Sequence, residues 1–456
     1  MTPTWQVGSL SSSPQLNSMI IRILNSSRRD YRNFMPRLQL ELPTIQNWNC
    51  HNCSGCCKQH GIFITEEEKE RIESQNWAAS NEIPDNMETV VTERNLIGKK
   101  KYRLAQQEDG SCVFLDEQGL CRIHGKFGEK AKPLACRIYP YAFHPKGNGI
   151  AVSLRFSCPS VTQNLGKSIT RQNKEVREIA ELVVPEGRKQ SAAPKLTNKV
   201  QLTWEETLDI VNALDESLAD EQTPVALKLL RTYFWIDLIQ KTNFKNIRGE
   251  RLRELLNLLT TAAPEEVPTI PEPHPPSKVA LMQFRLLAGQ YARKDTFASM
   301  DTSAGGRMKQ LKSATQLSSG TGLLPKLHPD LNEVPFEALE GTFGKLSEES
   351  EELFTRYLRV KIQGMHFCGP AYYNINLIDG LHALMLVFPA TMWIARWRAV
   401  TQARSKIIAE DVREALEIVD HQHGYSPVLG TWGSRKRVTT MVQMGDLQNL
   451  IVWYQR

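Results

Sequence analysis

Hydrophobic residues recur every three or four positions through most of the chain after residue 200. Residues at this spacing lie on one side of a helix, so the pattern predicts a set of amphipathic helices. The clearest series are Leu208, Val211 and Leu214; Leu227, Leu230, Phe234 and Leu238; and Leu353, Tyr357 and Val360. A further helix is predicted at residues 409–419. Thr203 followed by Glu206 predicts the N-terminus of the first helix, since such a pair caps free backbone amides reciprocally.

Polar or proline-rich stretches interrupt this helical pattern. Residues 185–194 have the composition of a linker, and residues 263–277 contain six prolines, which predicts an extended connector. The Ser- and Gly-rich residues 299–322 predict a mobile segment. The most apolar stretch, residues 377–395, has about the length of a membrane span. Because Asp379 and Pro389 interrupt it, we expect a buried helix there and no membrane span.

The chain before residue 183 has a different pattern, with short apolar runs separated by turns. Asp109-Gly110 and Gln118-Gly119 are typical of tight turns between strands. We therefore predict an α+β protein, in which a small cysteine-rich domain of short strands and helices precedes a mostly α-helical region. The predicted divisions are an N-terminal arm (1–41), the cysteine domain (42–183), a helical segment (200–262) and a mostly helical C-terminal region (278–456).

Composition narrows the class of protein without naming a function. Hydrophobic residues make up 41% of the chain and charged residues 23%, which is typical of a soluble globular protein. The net charge of +6 is small for 456 residues, so we expect no nucleic-acid partner. The apolar residues near Met19 are interrupted by Arg22 and lack a cleavage site. We therefore expect no signal peptide and a cytoplasmic location.

Cysteine is concentrated in one part of the chain. Eight of the nine cysteines lie between residues 50 and 158, and four of them fall in one eight-residue string. In a compartment that disfavours disulfides, thiols grouped in this way usually hold a metal. The candidate ligands are Cys50, Cys53, Cys56, Cys57, Cys112, Cys121, Cys136 and Cys158. The ninth, Cys368, we expect to be a core residue.

The spacing of the first cysteines favours an iron–sulfur cluster over zinc. Zinc sites commonly combine two separate Cys-x-x-Cys units, whereas three cysteines two residues apart surround a 4Fe-4S cluster and a distant Cys-Pro often supplies the fourth ligand. Here Cys50, Cys53 and Cys56 have that spacing, and Cys158 precedes a proline. Adjacent side chains in an extended chain point in opposite directions, so we expect Cys57 to point away from Cys56. Two four-ligand sites, or one cluster with additional structural cysteines, are both compatible with eight thiols.

The distal cysteines and the histidines give weaker signals. The turns at residues 109–110 and 118–119 would bring Cys112 and Cys121 close together across a hairpin. His60 and His124 are possible ligands, although an isolated histidine is more often a surface or packing residue. Two histidines at positions i and i+2 cannot share a helical face, so we expect the His421-Gln-His423 segment to lie at the surface.

These motifs resemble the YkgJ-type cysteine-cluster family, described as zinc- or iron-chelating domains. The resemblance covers about residues 45–160 and includes the distal hairpin and a Pro-x-x-Cys-Arg segment. The matching residues are Cys50 to Cys57, Ile62-Phe-Ile-Thr65-Glu-Glu-Glu68, Cys112-Val-Phe-Leu115, Gly119-Leu-Cys121 and Pro133-Leu-Ala-Cys136-Arg137-Ile-Tyr-Pro140. Lys132 stands where the family usually has an arginine before the proline. Residues 125–130 lengthen the stretch between Cys121 and Cys136. Neither departure removes a candidate ligand.

The resemblance implies chelation of zinc or iron, and it suggests an activity. The family includes proteins similar to flagellin lysine N-methylase, which carry a long helical region after the cysteine cluster, as this chain does. That layout implies methyl transfer to a lysine of a protein substrate such as flagellin, with S-adenosylmethionine and an iron–sulfur cluster. The chain shows no glycine-rich turn after a strand that would hold this cofactor in a doubly wound sheet.

Two functional hypotheses follow from these observations. In the first, the protein is a metal-cluster enzyme, plausibly a protein-lysine methyltransferase, with Asp379, His382 or Tyr372 as a base. In the second, zinc stabilises a small non-catalytic fold and the helical region binds a partner. An iron lacking a fourth thiolate, or a pocket between the cysteines and the C-terminal helices, would favour the enzyme.

Overall fold

The computed structural model describes residues 38–77, 83, 87–94, 100–185, 191–294 and 303–456. The predicted N-terminal arm lies almost wholly outside these residues, as do parts of the segments at 185–194 and 299–322. Within the described residues, short strands and helices occupy the N-terminal part and helices dominate after residue 200. This arrangement confirms the predicted α+β class.

The strands form two three-stranded sheets. They are β1 (Leu40–Glu41), β2 (Phe63–Ile64), β3 (Val90–Arg94), β4 (Lys100–Leu104), β5 (Tyr141–Lys146) and β6 (Gly149–Leu154). In the first sheet, with order β1-β6-β5, β6 pairs in parallel with β1 and antiparallel with β5. In the second, with order β2-β4-β3, both pairings are antiparallel. Along the chain, the segments from Cys50 to Cys57 and from Cys112 to Cys136 each connect a strand of one sheet to a strand of the other.

The helices of the described residues are short before residue 200 and longer after it. The first group is α1 (Gly55–Gln59), α2 (Glu66–Glu73), α3 (Arg122–Phe127), α4 (Leu134–Ile138), α5 (Pro159–Thr162) and α6 (Asn173–Val183). The second is α7 (Trp204–Ser217), α8 (Val225–Lys241), α9 (Glu250–Glu266), α10 (Lys278–Ala292), α11 (Ala304–Ser319), α12 (Glu348–Gln363), α13 (Leu377–Met385), α14 (Val387–Thr401), α15 (Ala409–Gln422), α16 (Trp432–Gln443) and α17 (Asp446–Gln455).

Local sequence signals account for several helix boundaries. Glu206 donates its backbone amide to the Thr203 hydroxyl, and its carboxylate accepts the Thr203 amide at 3.0 Å, which confirms the predicted capping box. The predicted helices at Leu353 and at residues 409–419 are also present. Helix α9 continues through Pro264 to Glu266. The extended connector is therefore shorter than predicted.

The prediction of a mobile segment at residues 299–322 was wrong for its described part. Residues 304–319 form α11, whose first turn is capped by the Ser303 hydroxyl accepting the Gly306 amide. Gly320 ends the helix in the left-handed conformation, with φ of 66°. Leu317 is buried against Gly289 of α10. Tertiary packing of one apolar residue therefore outweighs the low helix propensity of the Ser- and Gly-rich sequence.

The most apolar stretch of the chain forms the centre of the protein. Within the described residues, one stretch, Leu377–Thr401, is long and apolar enough to cross a membrane, but 94% of its most apolar window is buried inside the protein. It consists of α13 and α14, and α14 packs against α10, α15 and α17. The stretch therefore has the surroundings of a core helix, as predicted.

The cysteine region is divided between two hydrophobic cores. The first sheet packs into the large core of the helical region, where the Phe156 and Tyr357 rings meet edge to face at 5.0 Å. A second, small core forms around Trp77, Phe114 and Ile123 and includes Cys112. One half of the cysteine region thus depends on the C-terminal helices, whereas the other half surrounds a core of its own.

Arg356 of α12 links the two parts of the chain. Its side chain is 3% exposed and donates hydrogen bonds to the Gln46 side-chain oxygen at 2.9 Å, to Val161 O at 2.8 Å and to Thr162 O at 2.7 Å. The two carbonyls belong to α5, the short helix that begins at Pro159. Arg356 thereby satisfies buried acceptors of α5 that have no partner within so short a helix.

We expect Arg356→Met to destabilise the protein by about 2–5 kcal/mol, because it leaves several buried acceptors without a donor. The matched control is Arg253→Met, which removes only exposed ion pairs and should change stability by about 0–1 kcal/mol. Urea unfolding of both variants measures the difference. Equal effects of the two substitutions would show that Arg356 does not hold α5.

Candidate metal centre and adjoining cavity

The cysteine string folds back on itself before α1. Asn52 and Ser54 both adopt positive φ, 54° and 57°, which turns the chain on either side of Cys53. Cys56 and Cys57 lie in α1, with their Sγ atoms 3.9 Å apart. The string therefore presents Cys50 and Cys53 on a looped segment and the other two thiols on a helix.

A close contact brings this loop to Cys158. A Cβ atom on Gly55 would lie 3.0 Å from Pro159 Cδ and 3.6 Å from Cys53 Sγ, so the absence of a side chain at Gly55 allows the two segments to approach. Burial raises the pKa of Cys158 to about 12, with a contribution from the neighbouring Cys53. The pKa of Cys53 is raised by burial and by its neighbours Cys56 and Cys50. We call Cys50, Cys53 and Cys158 the first thiol group.

Three distal cysteines meet beside the small core. Burial raises the pKa of Cys112 to about 12, with contributions from Cys121 and Cys56. The pKa of Cys136 lies well above its usual value because the thiol is buried and because Cys112, Cys56 and Cys121 are its neighbours. We call Cys112, Cys121 and Cys136 the second thiol group. The proximity of Cys112 and Cys121 agrees with the predicted hairpin, although isolated bridges rather than full strands form it.

Helix α1 lies between the two thiol groups. The Cys112 amide donates to Cys57 O at 2.8 Å, which ties the second group to α1. The pKa of Cys56 is raised well above its usual value by its hydrogen bond with Cys57, then by burial. Since Cys56 also affects the thiols of both groups, α1 can supply a thiol to either side. The structure thus brings six of the eight predicted cysteines into two neighbouring groups, with Cys56 and Cys57 of α1 between them.

The chemistry of these cysteine side chains fits a metal that is bound by thiolates. All of the cysteines are free, and neighbouring thiols within the groups disfavour one another's ionisation. A bound cation would supply the missing positive charge and allow the thiolates to form. Among the described residues, no three His, Cys, Asp or Glu side chains yet converge at ligand distances. Side-chain rotation is therefore needed to close a site.

The ninth cysteine lies apart from both groups. Cys368 is 1% exposed in the large core, and burial alone raises its pKa. This position confirms the prediction that Cys368 is a core residue. It also makes Cys368 a suitable control for substitutions in the thiol groups.

A cavity of about 350 Å³ adjoins the first thiol group. Its lining includes Pro159, the residue after Cys158, together with parts of α10, α14 and α15. The volume lies at the lower end of the ~300–1,000 Å³ typical of small-molecule sites. The charged residues of the lining are Arg293, Lys294, Asp330, Arg398, Arg413, Glu414 and Glu417. Segments far apart in sequence thus meet around one partly open, highly charged cavity.

Glu417 is the most perturbed carboxyl group of the cavity. It is 9% exposed and accepts a hydrogen bond from the Thr162 hydroxyl of α5 at 2.7 Å. Burial raises its pKa to about 7, although Thr162, Arg413 and Arg398 partly oppose the shift. A carboxyl with this pKa can both hold and release a proton at neutral pH.

His423 is buried and His421 is half-buried beside the cavity, so the prediction of a surface position for both residues was wrong. His421 lines the cavity, and its ring stacks on that of His60 at 4.7 Å. His423 is 1% exposed and shares a 2.9 Å hydrogen bond with the Tyr291 hydroxyl of α10. Burial lowers the pKa of both residues to about 3. Helix α10 covers the residues at the end of α15. This long-range contact cannot be read from a single sequence.

The residues proposed from the sequence as a base do not line the cavity. Asp379 pairs with Asn376 at the start of α13, and His382 is buried beside Tyr233. Tyr372 packs against His423, with ring centroids 4.7 Å apart. The sequence analysis missed Glu417, although a signal existed, because this acid follows Leu416 beside the apolar face of a predicted helix.

The arrangement of thiols is that of a cysteine-cluster domain, and the comparisons with known proteins agree. Residues 49–164 match the CxxCxxCC family, described as "Putative zinc- or iron-chelating domain". The chain belongs to this family, as the resemblance predicted. No solved structure matches the chain.

Curated relatives are similar over part of the chain. A flagellar biosynthetic protein FliU of Salmonella muenchen is 30% identical over 121 residues, covering 25% of this chain and 70% of the relative. A lysine-N-methylase of Salmonella choleraesuis is 30% identical over 121 residues, covering 25% of this chain but 29% of the relative. An uncharacterised protein of Methanocaldococcus jannaschii is 26% identical over 171 residues, which cover 36% of this chain and 56% of that protein.

We expect Gly55→Ala to destabilise the protein by about 1–3 kcal/mol, because the new Cβ forces the loop away from the stiff Pro159 ring. The control Gly125→Ala places a Cβ where no atom lies within 4 Å and should be neutral or stabilising by up to about 1 kcal/mol. Urea unfolding distinguishes the two. A Gly55→Ala protein as stable as the Gly125→Ala protein would exclude a tight contact between Cys53 and α5.

The raised pKa of Glu417 predicts a pH dependence of stability. Between the ordinary glutamate pKa and about 7 the folded state binds more protons at this site than the unfolded state, so stability falls as the pH rises through this interval. Glu417→Gln should remove about 2–3 kcal/mol of this dependence between pH 5 and pH 8. The free energy of unfolding is measured against pH for the wild type and for this variant. Glu410→Gln, at an exposed position of the same helix, is the control. Identical slopes in all three would contradict the burial of the Glu417 carboxyl.

Proposed function

We propose that the chain binds metal at two sites made by its eight clustered cysteines. The first thiol group holds one metal centre and the second thiol group another, with Cys56 and Cys57 of α1 completing them. The division of the thiols into two neighbouring groups supports this assignment, as does membership of a zinc- or iron-chelating family.

We assign an iron–sulfur cluster to the first site and zinc to the second. The Cys-x-x-Cys-x-x-Cys spacing and the Cys158-Pro159 pair are typical of 4Fe-4S ligation. The second thiol group instead adjoins a small apolar core that includes Cys112. Structural zinc contributes on the order of 10 kcal/mol to such folds, which is what a small core of this kind needs.

We further propose that the protein is an enzyme that transfers a methyl group from S-adenosylmethionine to a lysine of a protein. The observation that carries this step is the cavity between the Cys158-Pro159 segment and the C-terminal helices. A purely structural metal site requires no such cavity beside it. The name lysine-N-methylase, borne by two relatives that match a quarter of this chain, supports the choice of reaction.

Glu417 is the residue we assign to proton transfer. A lysine amine attacks a methyl group only in its neutral form, so its ammonium must first lose a proton. The buried carboxyl of Glu417 has a pKa of about 7, so its ionised form can accept that proton at neutral pH.

The proposed substrate is a protein such as flagellin, and the proposed location is the cytoplasm. The flagellar name of one relative supports this substrate class. The burial of the most apolar helices inside the protein is compatible with the location.

Metal analysis of anaerobically purified protein tests the proposal. We expect iron and sulfide together with about one zinc per chain, since a structural zinc site holds one ion. Cys53→Ala should lose the iron and keep the zinc, whereas Cys136→Ala should lose the zinc. The control Cys368→Ala should keep both metals, because its thiol lies in the large core.

Activity is measured on the same proteins as transfer of labelled methyl groups from S-adenosylmethionine to flagellin. We expect transfer by the wild type and by Glu410→Gln, and a loss of about 100-fold or more in Glu417→Gln. Zinc at both sites without iron or transfer would favour the non-catalytic alternative. Full metal content in Cys53→Ala and Cys136→Ala would overturn the assignment of both sites.

A further inference from the structure

Lys294 places a positive charge on one wall of the cavity. It lies two residues after the end of α10 and lines the cavity. In the described part of the chain, no carboxylate forms an ion pair with its ammonium, whereas its backbone amide donates to Leu327 O at 2.9 Å. Its charge lowers the pKa of His60, His421 and His328. The ammonium therefore faces the wall formed by these rings.

His421 adds a hydrogen-bonding group to the same wall. Its Nδ1 atom is buried and has no hydrogen-bond partner among the described residues. Burial and the charges of Arg155 and Lys294 lower its pKa to about 3, so the ring is neutral at physiological pH. A buried polar atom without a partner is energetically unfavourable. A bound ligand that accepts its proton would remove this penalty.

Other charges of the lining already have partners. Arg398 forms an ion pair with Glu414. Arg413 lies 3.6 Å from a Glu349 oxygen and 3.7 Å from a Glu410 oxygen. Asp330 lies 3.5 Å from His328 Nδ1. Lys294, which forms no ion pair with a carboxylate of the described residues, and the neutral donor of His421 together match a carboxylate anion.

We propose that Lys294 and His421 form a subsite for the carboxylate group of a small organic ligand. Lys294 supplies the charge, and His421 donates a hydrogen bond from Nδ1. Pro159, Ile418 and the Tyr291 ring give the cavity apolar surface for the remainder of the ligand. The inference deepens the proposed function and rests on it for the ligand, the amino-acid end of the methyl donor.

Calorimetric titration of the metal-loaded protein tests the subsite. The probes are S-adenosylhomocysteine and its decarboxylated analogue, which differ only in the carboxylate group. We expect the loss of the carboxylate to weaken binding about 10- to 100-fold. Lys294→Met should weaken the binding of S-adenosylhomocysteine by a similar factor. The Lys294→Met protein should then bind the two probes with almost equal affinity. Lys294→Arg should restore most of the affinity, and the exposed control Lys312→Met should match the wild type.

The outcomes separate failure of the subsite from failure of the proposed function. Equal affinity of the wild type for both probes, or an unchanged affinity in Lys294→Met, would overturn the carboxylate subsite while leaving methyl transfer intact. If only L-methionine binds, and does so through Lys294, the subsite stands and the methyl donor is wrong. Tighter binding of inorganic phosphate than of S-adenosylhomocysteine or L-methionine would also overturn the proposal. Folding of each variant is checked by urea unfolding.

Discussion

A buried ion pair joins the helical region to the segment that carries Cys158. Lys361 of α12 and Asp420 of α15 are both fully buried, with Nζ and Oδ1 2.7 Å apart. Asp420 also accepts the Ser157 amide at 3.0 Å, and Lys361 donates to Leu154 O at 3.0 Å. Two buried charges are tolerated only when paired and hydrogen-bonded. The position of the Cys158 segment therefore depends on helices more than 190 residues later in the chain.

This dependence gives the two halves of the cysteine region different roles. Arg356, Asp420 and Glu417 hold the segment around Cys158 against α12 and α15, where the cavity forms. The second thiol group instead belongs to a small core of its own. A metal at the first group would thus lie beside a charged cavity, whereas a metal at the second would stabilise a local fold. The proposed division between a reactive and a structural site follows from this difference in surroundings.

Much of the secondary structure and the choice of ligands were predictable from the sequence. The helical spacing at Leu353, Tyr357 and Val360 and the capping pair at Thr203 are local signals, and local signals act over a few residues. The segment at residues 304–319 was predicted wrongly, because its helix rests on the contact of Leu317 with α10. The histidines 421 and 423 were also predicted wrongly, since α10 and Tyr372 cover them.

The sequence by itself determined that this is an α+β protein with eight clustered thiols suited to zinc or iron, because ligand chemistry and spacing are properties of the residues. Only the tertiary structure decided how these thiols divide and what adjoins them. Burial changes the pKa of Glu417 and leaves Lys294 and His421 facing a cavity, through contacts between segments more than 100 residues apart. Such long-range contacts depend on the packing of the whole chain, which no local pattern contains.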